Sequence, residues 1–396
     1  MAIDKAEKSW FERHPKKTIG FILLLVIGGV IYTTEKILTY KTEGPGYRAG
    51  VKRYIKIKEH HPLSCEIVSP NITHLSVSDN LIKKPYLLRI DRDGFIMPSK
   101  IHEHPDLTMV FLGGSTTELA FAEEKNRFPY LSGRLLEEKL HVKVNSYNGG
   151  KSGNGSLHSL DILLNKVIPL KPDLVFLMHN VNDLTVLLYD QTNSYWTTNP
   201  YRSPLITEPP NLRTASRKIE EAFHIVRDLT IPNLSKELRN LAARLRTSQV
   251  DEFAQVRGKK IQVNKPWLIN EFKMNQQTFI NICRARNITP VLMTMASRIT
   301  DQPDRRIKNS IEEPTGLAYH EYKEMFDLFN QAIREVGGAN HVMVIDLAQA
   351  IPQTKQYLFD VVHFNDEGSK LAASIISERL APLAASLKST PVSAGF

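Results

Sequence analysis

The first feature in the hydrophobic pattern is one uninterrupted apolar run. Residues 18–33 (TIGFILLLVIGGVIYT) carry no charge, and 34–40 (TEKILTY) can extend them toward the roughly 20 residues a membrane-spanning helix needs. Further along, short apolar runs alternate with longer amphipathic ones. The segments 108–112, 142–147, 173–178, 290–295 and 342–347 read as strands. Helices are expected within 123–140 from near Pro129, and over 156–170, 319–336 and 366–387. Continuous apolar strands alternating with helices argue for an α/β fold whose parallel sheet is covered on both faces.

Two stretches break this rhythm. Between the apolar run and the first strand, 41–105 is mixed in character. Its sequence PYLLRIDRDGFIMP predicts a short hairpin around the turn Asp91-Arg92-Asp93-Gly94. The second stretch, 184–264, is an insertion after the third strand. It opens with turn residues and aromatics, including Tyr189, Tyr195, Trp196 and Tyr201, and continues with two basic helical segments near 215–229 and 234–245. A cap, a substrate platform and a partner surface all fit such a segment. No solenoid period runs through the chain.

Charge and composition sharpen the apolar run and little else. The 396 residues are 42% hydrophobic and 23% charged, enough for a sizeable core. The net charge of +9 comes from scattered Lys and Arg, with no finger, RNP or helix-turn-helix pattern, so nucleic acid is not an expected partner. Cys65 and Cys283 could pair but form no disulfide framework, and with neither CxxC nor HExxH no metal site is expected. Around the apolar run the charges are unequal. Lys5, Lys8, Arg13, Lys16 and Lys17 precede it, whereas only Lys36, Lys41 and Arg48 fall in the 15 residues after Thr33. No A-x-A-like cleavage site follows. The expectation is an uncleaved anchor over 18–40, a cytoplasmic tail at 1–17 and an exported body, by the positive-inside rule.

The strand ends carry the candidate chemistry. The first strand ends in Gly113-Gly114-Ser115, the second in YNGGKSGNGS (147–156) and the third in HNVNDL (179–184). FDVVHFNDEG (359–368) precedes the closing helix. Ligands of open α/β sheets bind beyond the carboxyl ends of the strands. A serine, glycine-rich turns, asparagines and an Asp-x-x-His pair are components of nucleophilic acyl transfer. Each block also has a plain structural reading. Ser115 can start a helix, Asn182 can form an Asx turn, and the aromatics of the insertion can pack it onto the domain.

Together the four blocks resemble, in order and spacing over 108–387, the SGNH hydrolases of the GDSL-like lipase and esterase superfamily. The resemblance implies a three-layer α/β/α sandwich of flavodoxin type, with a five-stranded parallel sheet, over 106–390. It implies that Ser115 is the nucleophile, His363 the base and Asp360 the group that orients it. The oxyanion donors would be Ser115 and Gly153 through their backbones and Asn182 through its amide. No cofactor is implied. Two departures stand out: Gly114 replaces the family's Asp in Gly-Asp-Ser, and Asn180 replaces its Gly in Gly-x-Asn-Asp. With the anchor, the chain resembles membrane-tethered cell-envelope members of the superfamily. That implies an inner-membrane, single-pass protein with a periplasmic domain, acting on O-acetyl or other ester groups of an envelope polysaccharide as esterase or acyltransferase, alone or in a biosynthetic complex. Tyr195, Trp196 and Asn180 are the expected substrate contacts. Two other readings remain open, a lipid esterase or lysophospholipase at the bilayer and a non-catalytic assembly protein. Glu118 and His179 lie near the motifs, and Asp183 fits a structural role.

Overall fold

The computed structural model describes residues 10–43, 57–189, 194–196, 230, 231, 234, 238 and 263–389. The chain divides into two units, residues 1–49 with 208–250 and residues 50–207 with 251–396.

In the first unit the apolar run forms helix α1 (Pro15–Glu43). Its 24-residue stretch Pro15–Leu38 is long and apolar enough to cross a membrane. At 1.5 Å per residue it spans about 36 Å, against a hydrocarbon core of about 30 Å. Side chains such as Ile19, Leu24 and Val30 are exposed. Glu35 is buried and accepts the Leu234 N–H at 2.7 Å. The two basic helical segments expected near 215–229 and 234–245 fall almost wholly outside the described residues.

The second unit is built on five parallel strands. β3 (Leu107–Gly113), β4 (Val144–Asn148), β5 (Leu174–Met178), β6 (Thr289–Met293) and β7 (Met343–Ile345) lie in the order β4-β3-β5-β6-β7. This is the flavodoxin-like order, and its switch point lies where β4 and β5 flank β3. Pairing sets Phe111 opposite Asn148 and Gly113 opposite Met178, so the three strand ends finish side by side.

Alternate residues feed two separate cores, which explains the apolar runs of β3, β5 and β6, while the edge strand β4 buries Asn145, Ser146 and Asn148. Val110, Leu112, Val175, Leu177 and Leu292 point into one core. It is covered by α4 (Ser156–Ile162), α5 (Val181–Tyr189), α6 (Lys265–Ala285) and α8 (Tyr319–Ala339), with α7 (Arg305–Thr315) beside them. Met109, Phe111, Phe176, Val291 and Met293 point into the other, beneath α3 (Phe128–Leu140) and α9 (Asp366–Ser389). The rings of Phe111 and Phe176 stack there at 4.1 Å. The three-layer α/β/α fold is therefore present, with its sheet parallel throughout.

Three expectations change in detail. The helix expected over 156–170 is α4 followed by a wide turn at Leu163–Val167 and a tight one at Ile168–Leu170. Pro169 cannot continue an α-helix, because it lacks the N–H and crowds the preceding turn. The insertion begins later than residue 184, since α5 runs to Tyr189 with Leu184, Leu187 and Leu188 buried in the core. The hairpin around Asp91–Gly94 is reduced to a single bridge between Ile90 and Ile96. Its first arm, β2 (Tyr86–Arg89), instead pairs antiparallel with β1 (Cys65–Val68). Its second arm is drawn to the main sheet, where Ile96 bridges to Asn148 and buried Phe95 packs on Tyr147. Cys65 is exposed and Cys283 buried, each as a free thiol.

Candidate active site

The turn after β3 is shaped by crowding. A side chain at Gly114 would place its Cβ 2.4 Å from the Asn182 amide nitrogen and 3.1 Å from the Asn154 carbonyl oxygen. The chain passes this point and starts the single-turn helix α2 (Ser115–Glu118), with Ser115 half-buried at its first position. The glycine in place of the family's Asp is thus the residue this packing admits.

The Asp-x-x-His block forms a closed turn. The Phe359 N–H donates to the His363 carbonyl at 2.9 Å. One Asp360 oxygen accepts the backbone N–H groups of Val362 (3.0 Å) and His363 (2.8 Å). The other lies 2.7 Å from His363 Nδ1. On the far side of the ring, Nε2 lies 2.7 Å from Ser115 Oγ. An ionised carboxylate can only accept, so Nδ1 carries the proton and Nε2 faces the hydroxyl as acceptor. Burial alone would lower the His363 pKa, but the charge and hydrogen bond of Asp360 outweigh it and raise it, with Glu118 adding to the rise. Burial would likewise raise the Asp360 carboxyl, but His363 and the two backbone donors carry it below the usual value.

The other two blocks approach from the neighbouring strand ends. Gly153 adopts φ +77°, a left-handed turn that suits glycine. The Asn182 amide donates to the Asn154 carbonyl at 2.8 Å, which fixes its orientation. Ser115, Gly153, Asn182, Asp360 and His363 all line one groove of about 420 Å³. Two clusters stand out among its other walls. One is polar: His60, Glu118, Lys151 and Ser152. The other is aromatic: Phe359 lies parallel to the His363 ring at 5.5 Å, Phe121 is 6.4 Å from Phe359, and His74 is 5.0 Å from Phe121.

Two expected substrate contacts are corrected. The Asn180 side chain is fully buried and its amide donates to the Phe326 carbonyl (2.9 Å) and Asn330 Oδ1 (3.1 Å), linking the end of β5 to α8. Tyr195 is also buried, and its hydroxyl donates to Asp183 at 2.7 Å. The Asn180 amide nitrogen and the Tyr195 hydroxyl are thus engaged within the fold. Trp196 is 64% exposed and does not line the groove. Asp183 acts as a buried clasp that also accepts the backbone N–H of Ser156 at 3.0 Å and its hydroxyl. It thereby ties the loop of Gly153 to the helix of Asn182. His179 bonds Ser159 at 2.7 Å, away from the groove, and burial lowers its pKa.

Glu118 lies near the motifs in sequence, whereas His60, His74, Phe121 and Phe359 reach the groove without a role that the sequence assigns. The run Glu59-His60-His61-Pro62 was the one available hint for His60. Phe359 opens the FDVVHFNDEG block, but nothing in the sequence marks Phe121 or His74. Among the described residues, no group of three or more His, Cys, Asp or Glu side chains is placed to hold a metal ion.

Comparison with known proteins bears on the family. No curated protein sequence matches the chain. Among solved structures, an acetylxylan esterase of Geobacillus stearothermophilus is 13% identical with a TM-score of 0.39, the match covering 69% of this chain and 94% of that one. A lipase/acylhydrolase of Enterococcus faecalis is 16% identical with a TM-score of 0.37, covering 70% and 96%. An α/β hydrolase from the metagenome of Lake Arreo, Spain, is 14% identical with a TM-score of 0.38, covering 71% and 96%. The sequence profile of the GDSL-like Lipase/Acylhydrolase family matches residues 111–371, which span the switch point and all four motif blocks. With two thirds of its length in that match, the chain belongs to the GDSL-like lipase/acylhydrolase family of hydrolases.

Proposed function

We propose that the protein is a membrane-anchored serine esterase that cleaves O-acyl groups, chiefly O-acetyl, from a cell-envelope polysaccharide. The observation that carries the chemistry is the chain of two 2.7 Å contacts from Asp360 through His363 to Ser115. His363 Nε2 takes the Ser115 proton as Oγ attacks the ester carbonyl, and Asp360 stabilises the imidazolium that forms. The backbone N–H groups of Ser115 and Gly153 and the Asn182 amide receive the developing oxyanion. Collapse of the tetrahedral intermediate breaks the bond to the alcohol, which takes the proton from His363. The acyl-enzyme is then resolved by water or by a second hydroxyl, giving hydrolysis or acyl transfer.

The substrate follows from which end of the groove receives the alcohol. His363 must return its proton to the leaving oxygen, so the alcohol sits beside the ring. Beside the ring is the aromatic cluster of Phe359, Phe121 and His74. Flat rings cover the C–H faces of a sugar, and a polar neighbour such as the imidazole can reach its hydroxyls. The anchor α1 and the charge bias around it support a periplasmic domain near the membrane, where envelope glycans are found.

One observation favours a second reading, esters of membrane lipid. Ile67 and Leu87 are cross-strand partners on the outer face of the β1–β2 ribbon, and both are exposed. Val68 and Leu88, next to them in sequence, line the groove. The test compares acetate release from an O-acetylated glycan with fatty-acid release from a lysophospholipid, using the full chain in detergent and its Ser115→Ala variant. Ser115-dependent deacetylation is expected. Ser115-dependent release of long acyl chains alone would favour the lipid reading, and no turnover of either would favour an assembly role.

A further inference from the structure

The family match begins at residue 111, yet the site is closed by residues some fifty positions earlier. The stretch from Ile57 to His60 lies along the loop that carries Gly153. The Lys58 carbonyl accepts the Asn154 side-chain amide at 3.0 Å. His60 Nε2 lies 2.8 Å from Glu118 Oε1, with both side chains only 4% exposed. Lys151 Nζ lies 3.3 Å from His60 Nδ1 and 4.0 Å from the same Glu118 oxygen. The second Glu118 oxygen accepts both the backbone N–H of Ser152, at 3.1 Å, and its hydroxyl.

Glu118 is one helical turn beyond Ser115, on the same short helix. Its carboxylate therefore joins the nucleophile's own element to the residue before Gly153. A carboxylate this buried is costly unless it is paired and hydrogen-bonded, and an apolar side chain would fill the same space at no such cost. Four polar contacts converge on it instead. Burial would raise its pKa, but His60, Lys151 and Ser152 together carry it below the usual value, so the grip is that of an anion. Ser152 is held from its amide and its hydroxyl, and it carries the peptide whose N–H belongs to Gly153.

We propose that Glu118 and His60 are positioning residues of the reaction. The carboxylate, held on one oxygen by His60, grips Ser152 with the other and so aims the Gly153 N–H at the oxyanion. The inference rests on the serine-esterase reading, with Gly153 as an oxyanion donor. It makes the segment before the family's domain part of the working site.

The test uses the full chain in detergent, hydrolysis of p-nitrophenyl acetate, and methylboronic acid, which forms a tetrahedral adduct on an active-site serine. Loss of a whole oxyanion donor costs about 10²–10³ in rate, so a misaimed donor should cost about 10–100-fold. Glu118→Gln is expected to lower kcat/KM by that factor and to weaken boronate inhibition in proportion. His60→Ala should do the same, whereas His60→Gln, which keeps an amide within reach of Glu118, should recover most of the loss. A structural role would lower the unfolding temperature without linking turnover to boronate affinity. Should Glu118→Gln fail to fold, Ser152→Ala removes the hydroxyl grip alone and is expected to cost about 3–10-fold on both readouts. Wild-type kcat/KM in the folded variant, or a loss of turnover with unchanged boronate affinity, overturns the proposal. Ser115→Ala serves as control, because turnover surviving that substitution refutes the esterase reading itself.

Discussion

Asp360→Asn tests the catalytic geometry with little disturbance of the fold. Asp360 Oδ1 accepts two backbone N–H groups, and an asparagine Oδ1 can accept both, so the turn should persist. The change falls on Oδ2, 2.7 Å from His363 Nδ1. There an amide NH₂ replaces an acceptor, and Nδ1 must accept instead of donate. The ring proton then moves to Nε2 and points at Ser115 Oγ, so the neutral ring can no longer act as the base. This fault of tautomer costs about 10⁴ in kcat, or about 5.5 kcal/mol of transition-state stabilisation. His363→Ala should cost more, about 10⁶, since it removes the base altogether. The pH profile gives a second readout. The base works only when neutral, and Asp360 is what holds the His363 pKa above its ordinary value against burial. The kcat/KM of the wild type should therefore rise with pH through a pKa above 6.5, the usual histidine value. In Asp360→Asn the burial effect remains without its counterweight, and the acid limb should move to lower pH. The assay is p-nitrophenyl acetate hydrolysis between pH 4 and 9, with Ser115→Ala as background. A loss under about tenfold, or an acid limb that stays in place, would refute the argument that Asp360 sets both tautomer and basicity.

Gly114→Ala should lower kcat by about 10²–10³ with little change in KM, because the added Cβ would displace the Asn182 amide 2.4 Å away; steady-state kinetics at near-wild-type activity would contradict the crowding. Tyr195→Phe removes a donor from buried Asp183 and should cost about 1.5–3 kcal/mol in denaturant unfolding, while substrate affinity for a small ester stays the same. An unchanged unfolding midpoint with a raised KM would restore Tyr195 as a substrate contact. A reporter fused after Phe396 should be active only outside the cytoplasm, and activity inside would reverse the orientation drawn from the charges around α1.

The parts of the fold that could be read from the sequence are those where physics leaves one choice. A strand covered on both faces is largely apolar, so β3, β5, β6 and β7 announced themselves to within a few residues, whereas β4 (VNSYN) is buried with three polar residues. The meeting of Ser115, His363 and Asp360 was legible because the motif blocks fix their residue types and the sheet fixes where they stand along the chain. The β1–β2 pairing was hidden. The local turn signal at Asp91–Gly94 was sound, but Phe95 and Ile96 gain more by packing on Tyr147 and bridging to Asn148 than by pairing at length with β2. His60 was hidden for a related reason. It sits in a stretch with no periodicity, and only the folded path of the chain brings it to Glu118.

Asn180, expected as a substrate contact for its place in a motif, and Tyr195, expected as one for its ring in the insertion, are instead buried in the fold. A polar side chain next to a catalytic residue is equally suited to hold that residue's scaffold, and burial decides between the two. The same logic accounts for both departures from the family pattern. Gly114 stands where the Asn182 amide leaves no room for a Cβ. Asn180 stands where an amide can reach the Phe326 carbonyl and Asn330, fastening the strand that precedes Asn182 to α8. Both changes bear on Asn182, one from its front and one from the backbone behind it. Neither replaces Ser115, His363 or Asp360. Variation here has moved through the support of one proposed oxyanion donor, where packing can be re-solved, while the proton path from serine to carboxylate admits no substitute.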